Sequence, residues 1–381
     1  MQNAIEILED LVAFDCLPGT PNLTMVAYVV SLLARNNVQA HVVASVTEDR
    51  CGIHATIGPN VPGGILLSGH LDVVPAGEGW GSSPWRLRRT NGKLYGRGTA
   101  DMKGFVAVVL SLVPLMATTT LRAPIHLVFS CDEEIGCLGI PYLIDAMRPR
   151  IAPPSAVLVG EPTQMDVVIG HKSSHSFVTS LDGLSGHSSR TDLGVSAVTA
   201  GARLITWLGD LADEIENGQS RDERFLPAYT TVHCGLVKGG SAANVIAESC
   251  DFTTDIRCIP SEEASSYRSR YETHIRINVE PVMRAISAAC SVKVRDRSNV
   301  PALKPQGGDA LEIVRSINSN AKIRFVSYAT EAGFFQKEGW DTVVFGPGDI
   351  AQAHTKDEFI ETSELAKADR CLRDLIDRLK M

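Results

Sequence analysis

The chain has 381 residues, of which 44% are hydrophobic and 21% are charged, a composition typical of soluble globular proteins. This length exceeds what one hydrophobic core usually organises, so we expect two domains. The formal net charge of −8 argues against a nucleic-acid or anionic-membrane partner. No apolar run reaches the length of a membrane span, and no secretion signal is visible. Nine scattered cysteines without a Cys-x-x-Cys pattern indicate reduced thiols, and we therefore expect a cytoplasmic protein.

The first elements predict an amphipathic helix at the N-terminus, then strands over 38–46 and 52–57. A short apolar run at 65–67 predicts a buried strand that ends near His70. Binding sites in open α/β sheets form just beyond the carboxyl ends of strands, which is where His70 falls. Asp72 follows in an extended segment and is a candidate to accept an imidazole N–H, which would orient the ring. A His-Asp pair that only closes a turn is the alternative.

Two further acidic positions follow in chain order. Asp101 lies at the entrance of a predicted buried helix over 105–116, where the alternative role is that of a helix cap. The strand predicted over 125–130 is followed by Cys131 and three consecutive acids, residues 132–134. These acids would repel one another unless cations neutralise them, and a solvated acidic turn is the alternative.

Two more strand ends carry polar residues. The predicted strand over 156–159 is followed by Glu161, and the one over 342–345 is followed, after a glycine-rich break, by His354. A parallel sheet would bring all of these strand ends to one edge. Two histidines with several carboxylates form a mixed nitrogen and oxygen set suited to zinc, cobalt or manganese, whereas calcium prefers oxygen alone.

The middle of the chain alternates strands and helices on a smaller scale, in the order β-α-β-β-α-β, with the two helices predicted over 193–211 and 280–289. Since Glu161 precedes this block and His354 follows it, we expect the block to be inserted into the metal-binding domain. The predicted class is α/β: residues 1–172 and 301–381 form a catalytic two-metal domain with a mostly parallel sheet flanked by helices. Residues 173–300 form a smaller α/β sandwich that serves as a lid or dimerisation domain.

The chain resembles the two-zinc amidohydrolases that include acetylornithine deacetylase, succinyl-diaminopimelate desuccinylase and carboxypeptidase G. The resemblance covers nearly the whole chain and rests on motifs that occur in family order: 68–75, 96–104, 132–136, 160–163, 186–189 and His354. Within the family, segments 329–333 and 346–358 are most similar to the acetylornithine deacetylases. That similarity implies removal of the acetyl group from N-acetyl-L-ornithine in arginine biosynthesis.

The resemblance also implies a role for each matching residue. Five residues would bind two divalent ions, zinc first and cobalt as the alternative: His70, Asp101, Glu134, Glu161 and His354. Asp101 would bridge the ions. Glu133 would be the general base, Asp72 would orient His70, and His187 would polarise the scissile carbonyl. In the dimers of this family that histidine comes from the partner subunit, so we expect a homodimer. The substrate would contact Asn244, Arg257 and Glu331.

Three alternatives have different signatures. A desuccinylase or a broader N-acyl amino acid deacylase or dipeptidase belongs to the same family. A desuccinylase calls for an extra cation near Glu331, and residues 333–335 supply none. A non-catalytic binding protein would have lost ligands, whereas all five positions are present here. A serine or cysteine hydrolase is disfavoured because there is no Gly-x-Ser-x-Gly motif and because acids surround Cys131.

Overall fold

In the computed structural model, which describes residues 2–381, the chain divides into two compact units. The first comprises the chain up to Gly170 together with Leu303–Phe325 and Thr330–Met381. The second comprises His171–Ala302 and Val326–Ala329, and the block predicted over 173–300 falls within it. Within residues 2–381, no helix combines the length and the apolar character needed to cross a membrane.

The elements are as follows, in chain order. The α-helices of the described chain are α1 (Ala4–Val12), α2 (Leu23–Ala34), α3 (Lys103–Thr118), α4 (Ile140–Met147), α5 (Ala197–Glu216), α6 (Ala264–His274), α7 (Glu280–Arg284), α8 (Asp309–Ile317), α9 (Ala332–Lys337) and α10 (Thr362–Arg378). Its strands are β1 (Ala40–Ala44), β2 (Cys51–Ile57), β3 (Ile65–His70), β4 (Arg88–Thr90), β5 (Lys93–Tyr95), β6 (Ile125–Ser130), β7 (Ala156–Val159), β8 (Val167–His171), β9 (Ser174–Asp182), β10 (Thr231–Gly239), β11 (Ser249–Arg257), β12 (Ser291–Val300), β13 (Ile323–Val326), β14 (Thr342–Val344) and β15 (Phe359–Glu361).

The first unit is built on an eight-stranded sheet with the order β1-β2-β6-β3-β7-β14-β8-β13. Its central strands β6, β3, β7 and β14 are parallel, and β1 and β2 are antiparallel additions at one edge. Every residue of β3, β6 and β7 is buried, as expected of strands covered on both faces by helices. The predicted α/β class with a mostly parallel sheet is confirmed, and the carboxyl ends of the central strands meet at one edge.

Helix α3 is the central helix of this unit and packs against α1, α10 and β3. It is apolar on nearly all sides, which fits its burial. The exception is Lys103, which is fully buried at the start of the helix. Its Nζ donates to the carbonyl oxygens of Leu11 (3.0 Å) and Phe14 (2.8 Å), so the end of α1 supplies the acceptors that a buried ammonium requires.

The second unit has a four-stranded antiparallel sheet with the order β10-β11-β9-β12. The chain order is β9, α5, β10, β11, α6, α7, β12, which is the predicted β-α-β-β-α-β block with one additional helix, α6. The helix predicted over 280–289 is wrong in extent, because α7 ends at Arg284. Helix α6 was missed. Its sequence is polar, and it is held by Tyr271, whose hydroxyl lies 2.9 Å from Thr179 Oγ1.

Candidate metal centre

His70 stands at the carboxyl end of β3 and is 1% exposed. Its Nδ1 lies 2.8 Å from the backbone carbonyl of Asp72, so the main chain fixes the ring and directs Nε2 away from it. The Asp72 carboxylate, predicted as the partner of this nitrogen, is 3.8 Å away. That carboxylate accepts the backbone N–H groups of Glu133 and Glu134, both at 3.1 Å. Asp72 therefore links His70 to the acidic turn after β6.

Asp101 lies in the turn that precedes α3, and its carboxylate is placed between two imidazoles. Its Oδ1 is 3.0 Å from His70 Nε2, and its Oδ2 is 3.4 Å from His354 Nε2. The alternative of a helix cap is excluded, because the N-cap position of α3 is Met102 and no side chain caps it. The two oxygens of Asp101 face different histidines, an arrangement suited to a carboxylate that bridges two cations.

The three consecutive acids after β6 point in different directions. Asp132 has a φ of +57° and is buried; its oxygens accept from Arg50 Nη1 and from the backbone N–H of Gly19, both at 2.7 Å. Glu134 Oε2 lies 2.9 Å from His354 Nε2. Arg50 thus neutralises one acid of the run and leaves the other two for the cluster. A solvated turn does not describe these residues.

Glu161 and His354 complete the cluster, and their side chains differ in exposure to solvent. Glu161 follows β7, is 4% exposed, and has Oε1 3.7 Å from His70 Nε2. His354 has a φ of +59°, and 56% of its side chain is exposed. The cluster is therefore buried at the His70 end and open to solvent at the His354 end.

Two overlapping groups of side chains have the geometry of metal sites. In the group His70, Glu133 and Glu161, and in the group His70, Asp101 and Glu134, the ligand atoms lie within 4.8 Å of one another. His354 adjoins the second group through its contacts with Asp101 and Glu134. The structure thus brings together all five residues predicted as ligands, together with Glu133 and Asp72.

The electrostatics of the cluster favour bound cations. Burial and the neighbouring carboxylates raise the pKa of Glu133 and of Glu161 well above the ordinary range. Burial also raises the pKa of Asp101, but hydrogen bonds from His354 and His70 outweigh that effect and hold it low. Glu134 Oε1 is buried without a hydrogen-bond partner among residues 2–381. A mixed set of imidazoles and carboxylates with an orphaned buried oxygen fits divalent metal ions.

Cys137 was missed by sequence reasoning. It lies at a φ of +55° in the turn after Glu133 and is 2% exposed, and its thiol donates to Glu133 Oε1 at 3.2 Å. Its residue type gave no signal, because the contact depends on the turn in which the Cys137 N–H donates to the Glu133 carbonyl at 2.8 Å. This thiol orients the carboxylate of Glu133.

The predicted substrate contacts divide between the two units. His187 and Asn244 lie on adjacent exposed loops of the second unit, where the Asn244 carbonyl accepts the N–H of Ser188 at 3.1 Å. His187 Nδ1 accepts the N–H of Ser189 at 3.1 Å, which directs Nε2 to solvent. Arg257, also in the second unit, donates its Nε to Asp255 at 2.8 Å.

Glu331 belongs to the first unit and is 1% exposed. Its Oε2 accepts from Ser68 Oγ at 3.3 Å, and burial raises its pKa to about 7. This placement favours a supporting role behind the cluster over direct contact with a ligand. Glu331 as a substrate contact stays a prediction.

Comparison with known proteins identifies the family. Residues 66–378 match the model of peptidase family M20/M25/M40. An acetylornithine deacetylase of Proteus mirabilis is 33% identical over 335 residues, which cover 87% of this chain and 83% of that protein. The chain therefore belongs to peptidase family M20/M25/M40. Like its relatives, it is a hydrolase of the peptidase and amidohydrolase class.

Solved structures of M20 proteins share the fold. An M20 metallo-carboxypeptidase of Sulfolobus solfataricus matches with a TM-score of 0.78 at 15% identity, and the match covers 99% of each chain. An M20 peptidase of Bacillus subtilis, described as dinuclear metal binding, matches with a TM-score of 0.61 at 14% identity. That match covers 99% of this chain and 97% of the other. The clustering around His70 agrees with membership of a family that includes dinuclear metal-binding peptidases.

We expect replacement of His70 by asparagine to weaken binding of the metal ion at the buried end of the cluster, because the His70 imidazole lies at the centre of both groups of candidate ligand atoms. Protein stripped with chelator and re-equilibrated with zinc should retain two ions per chain in the wild type and fewer in His70→Asn, as measured by elemental analysis. His126→Asn is the matched control, since His126 is equally buried in β6 but lies outside the cluster. Equal metal content in the two variants would contradict the assignment.

Proposed function

We propose that this protein hydrolyses N-acetyl-L-ornithine to acetate and L-ornithine, a step of arginine biosynthesis, with two divalent metal ions. Zinc is the proposed metal and cobalt the alternative. The observation that carries this proposal is the cluster of five candidate ligands and Glu133 around His70. The substrate is inferred from the similarity to proteins named acetylornithine deacetylase. Other N-acyl amino acids are the alternative substrates.

The proposed ligand set divides at Asp101. His70 and Glu161 would hold one ion, Glu134 and His354 would hold the other, and Asp101 would contribute one oxygen to each. Divalent ions at these positions would polarise the scissile carbonyl and lower the pKa of a water molecule toward neutrality. The backbone carbonyl of Asp72 holds the His70 ring with Nε2 toward the cluster, as outer partners of metal-binding histidines generally do.

Glu133 is the proposed general base. It is adjacent to Glu134 in sequence. Its backbone N–H donates to the Asp72 carboxylate, and its Oε1 accepts a hydrogen bond from the Cys137 thiol. Its carboxylate would take a proton from the attacking water and deliver it to the departing amine. A carboxylate held in place within reach of the transferred proton can act first as base and then as acid.

The proposed contact of the substrate α-carboxylate is with Arg257. Asp255 engages Nε of Arg257, and the two terminal nitrogens of the guanidinium would be the donors to a ligand. That planar pair matches an α-carboxylate in bidentate geometry. Phe335 is fully buried and stacks on Trp340, so it fills the core of the first unit. An acetyl pocket would therefore involve other apolar residues.

A homodimer formed through the second unit is also proposed. Strand β10 is an edge of the four-stranded sheet and exposes Leu236 (65%) and Val237 (54%). The opposite edge, β12, exposes Lys293, Arg295 and Arg297, and charges of this kind discourage strand pairing. A groove of about 910 Å³ on the same unit is lined in part by Val198, Val282 and Ile286.

These features support a second copy of the chain as the partner that covers the β10 edge and the groove. A two-fold axis brings the same surface of two copies into contact, and the antiparallel pairing of two β10 edges has this symmetry. The exposed loop of His187 belongs to the same unit. We therefore propose that His187 acts in the active site of the partner subunit, where one donor to the developing oxyanion contributes about 3 kcal/mol.

Glu133→Gln should keep its metal content and lose turnover by about 10²–10⁴-fold, because the amide retains the shape of the side chain but cannot accept a proton. The rate of acetylornithine hydrolysis and the metal content should be measured on the same preparation. The exposed Glu312→Gln on α8 makes the same chemical change away from the cluster and should behave as wild type. A wild-type kcat for Glu133→Gln would show that Glu133 is not the general base.

Mixing two inactive proteins, His187→Ala and Glu133→Gln, should restore part of the activity. In a mixed dimer one site would combine an intact Glu133 with an intact His187 from the other subunit. Activity should be measured after subunit exchange has been verified by native mass spectrometry. If exchange occurs without recovery, His187 acts within its own chain or not at all.

The value of kcat/KM for N-acetyl-L-ornithine should be at least about tenfold higher than the value for N-succinyl-diaminopimelate. The expected reason is the absence of a cation in residues 333–335 that could pair with the second carboxylate of a succinyl group. Acetylated amino acids with other side chains should be hydrolysed at intermediate rates, because small differences in apolar contact discriminate by only about 1–3 kcal/mol. Preference for the succinylated substrate would transfer the assignment to the desuccinylases.

A further inference from the structure

The carboxylate of Glu358 is 1% exposed and receives four hydrogen bonds from one neighbouring loop. Its Oε1 accepts the backbone N–H groups of Ala100 (2.8 Å) and Asp101 (3.1 Å). Its Oε2 accepts the N–H of Gly98 (2.8 Å) and Nη1 of Arg97 (2.8 Å). Both oxygens are thus satisfied by the loop that carries Asp101, and one of the four donors is the backbone of Asp101 itself.

Glu358 also belongs to a second loop of the cluster, since it follows His354 by four residues. Its backbone carbonyl accepts the N–H of Gly96 at 3.0 Å, so main chain and side chain bind the same partner loop. The two loops are distant in sequence, and both supply candidate ligands that meet at His354 Nε2 and Asp101 Oδ2, 3.4 Å apart. A displacement of one loop relative to the other would change that distance directly.

Arg97 extends this network to a third segment. Its side chain is 2% exposed, and its Nη2 donates to the carbonyl oxygens of Pro75 (3.4 Å) and Ala76 (3.3 Å), shortly after Asp72. Gly98 has a φ of +82°, and a Cβ there would lie 2.6 Å from Val73 Cγ1. The loop is therefore packed closely against the segment that follows His70, and Glu358 provides its central acceptor.

We propose that Glu358 is a positioning residue of the metal centre: its carboxylate fixes the Asp101 loop against the His354 loop and so sets the separation of these two ligands. The inference rests on the proposed assignment of Asp101 and His354 as metal ligands. Partners of this kind behind a ligand typically change metal affinity by about 10–100-fold when they are removed. Glutamine in place of Glu358 would direct an NH₂ group at backbone N–H donors, so at least one donor of the loop would lose its acceptor.

Asp166 provides a matched control in the same unit. Its carboxylate accepts the backbone N–H of Lys322 and Nε of Arg324, both at 2.9 Å, and it therefore joins two segments by the same chemistry. Asp166 follows Glu161 by five residues, but the segment that its carboxylate binds, residues 322–324, contributes nothing to the cluster around His70, so Asp166 does not join two ligand loops. Asp166→Asn thus removes this kind of interaction outside the contact between the ligand loops, whereas Glu358→Gln removes it within that contact.

The experiment is a titration of the metal-free full-length chain with cobalt, read from the visible absorption of the bound ion, together with the melting temperature of the metal-free protein. Wild type and Asp166→Asn should bind two ions with equal affinity. Glu358→Gln should bind at least one ion about tenfold or more weakly and with an altered spectrum. Glu358→Asp keeps the charge but is one methylene too short to reach all four donors, and its affinity should fall between those of wild type and Glu358→Gln.

The outcomes separate this inference from the proposed function. Failure of the wild type to bind two ions would overturn the assignment of the ligands and, with it, the role of Glu358. Two ions in the wild type with unchanged affinity and spectrum in Glu358→Gln would overturn the positioning role alone. The same would follow from an equal loss of affinity in Asp166→Asn, or from a failure of both Glu358 variants to fold, since each result would make Glu358 a determinant of stability only.

Discussion

The gathering of several buried carboxylates around one imidazole is the constraint on which the first unit depends. Charges of one sign inside a protein are costly unless counter-charges or hydrogen-bond donors accompany them. The structure satisfies the outer acids with its own groups: Arg50 for Asp132, backbone N–H groups for Asp72, and Arg97 with a loop of N–H groups for Glu358. The inner acids Asp101, Glu133 and Glu134 contact imidazoles and a thiol instead of a guanidinium or backbone N–H groups, and they are the ones that suit metal ions.

The parallel sheet explains why these acids meet. β3, β6 and β7 end at the same edge, so a polar residue just past each strand arrives in one place although the positions are spread along the chain. The strands are buried on both faces and cannot tilt or slide without disturbing the core. The site is thereby attached to the most rigid part of the unit, while the exposed side chain of His354 gives access from solvent.

The strands of the first unit could be predicted well because the signal is strong. β6 and β7 match the predicted segments residue for residue, since β7 is a continuous apolar run and β6 is apolar apart from His126 and Ser130. Helix α6 was not found because only Ala264 and Tyr271 are buried, so its sequence has no apolar periodicity. Its position follows from contacts that only the folded chain provides.

The candidate site was predictable as a set of residues and less so in its internal contacts. Residue types at strand ends indicated which side chains would meet. They could not indicate that the carbonyl rather than the carboxylate of Asp72 would face His70, or that Asp132 would turn toward Arg50. Both depend on local backbone direction, such as the positive φ of Asp132, which residue type does not determine. The roles of His187, Asn244 and Arg257 stay predictions.

The buried contact of Lys103 with the end of α1 has a consequence for how the protein tolerates change at its beginning. Lys103 lies two residues after Asp101, and its acceptors come from a segment that elsewhere serves only to cover the core. Loss of residues 4–14 by truncation or proteolysis would remove both acceptors of this ammonium group in addition to the apolar contacts of α1. This segment is therefore no dispensable extension: cleavage there would disturb the start of α3, two residues after Asp101.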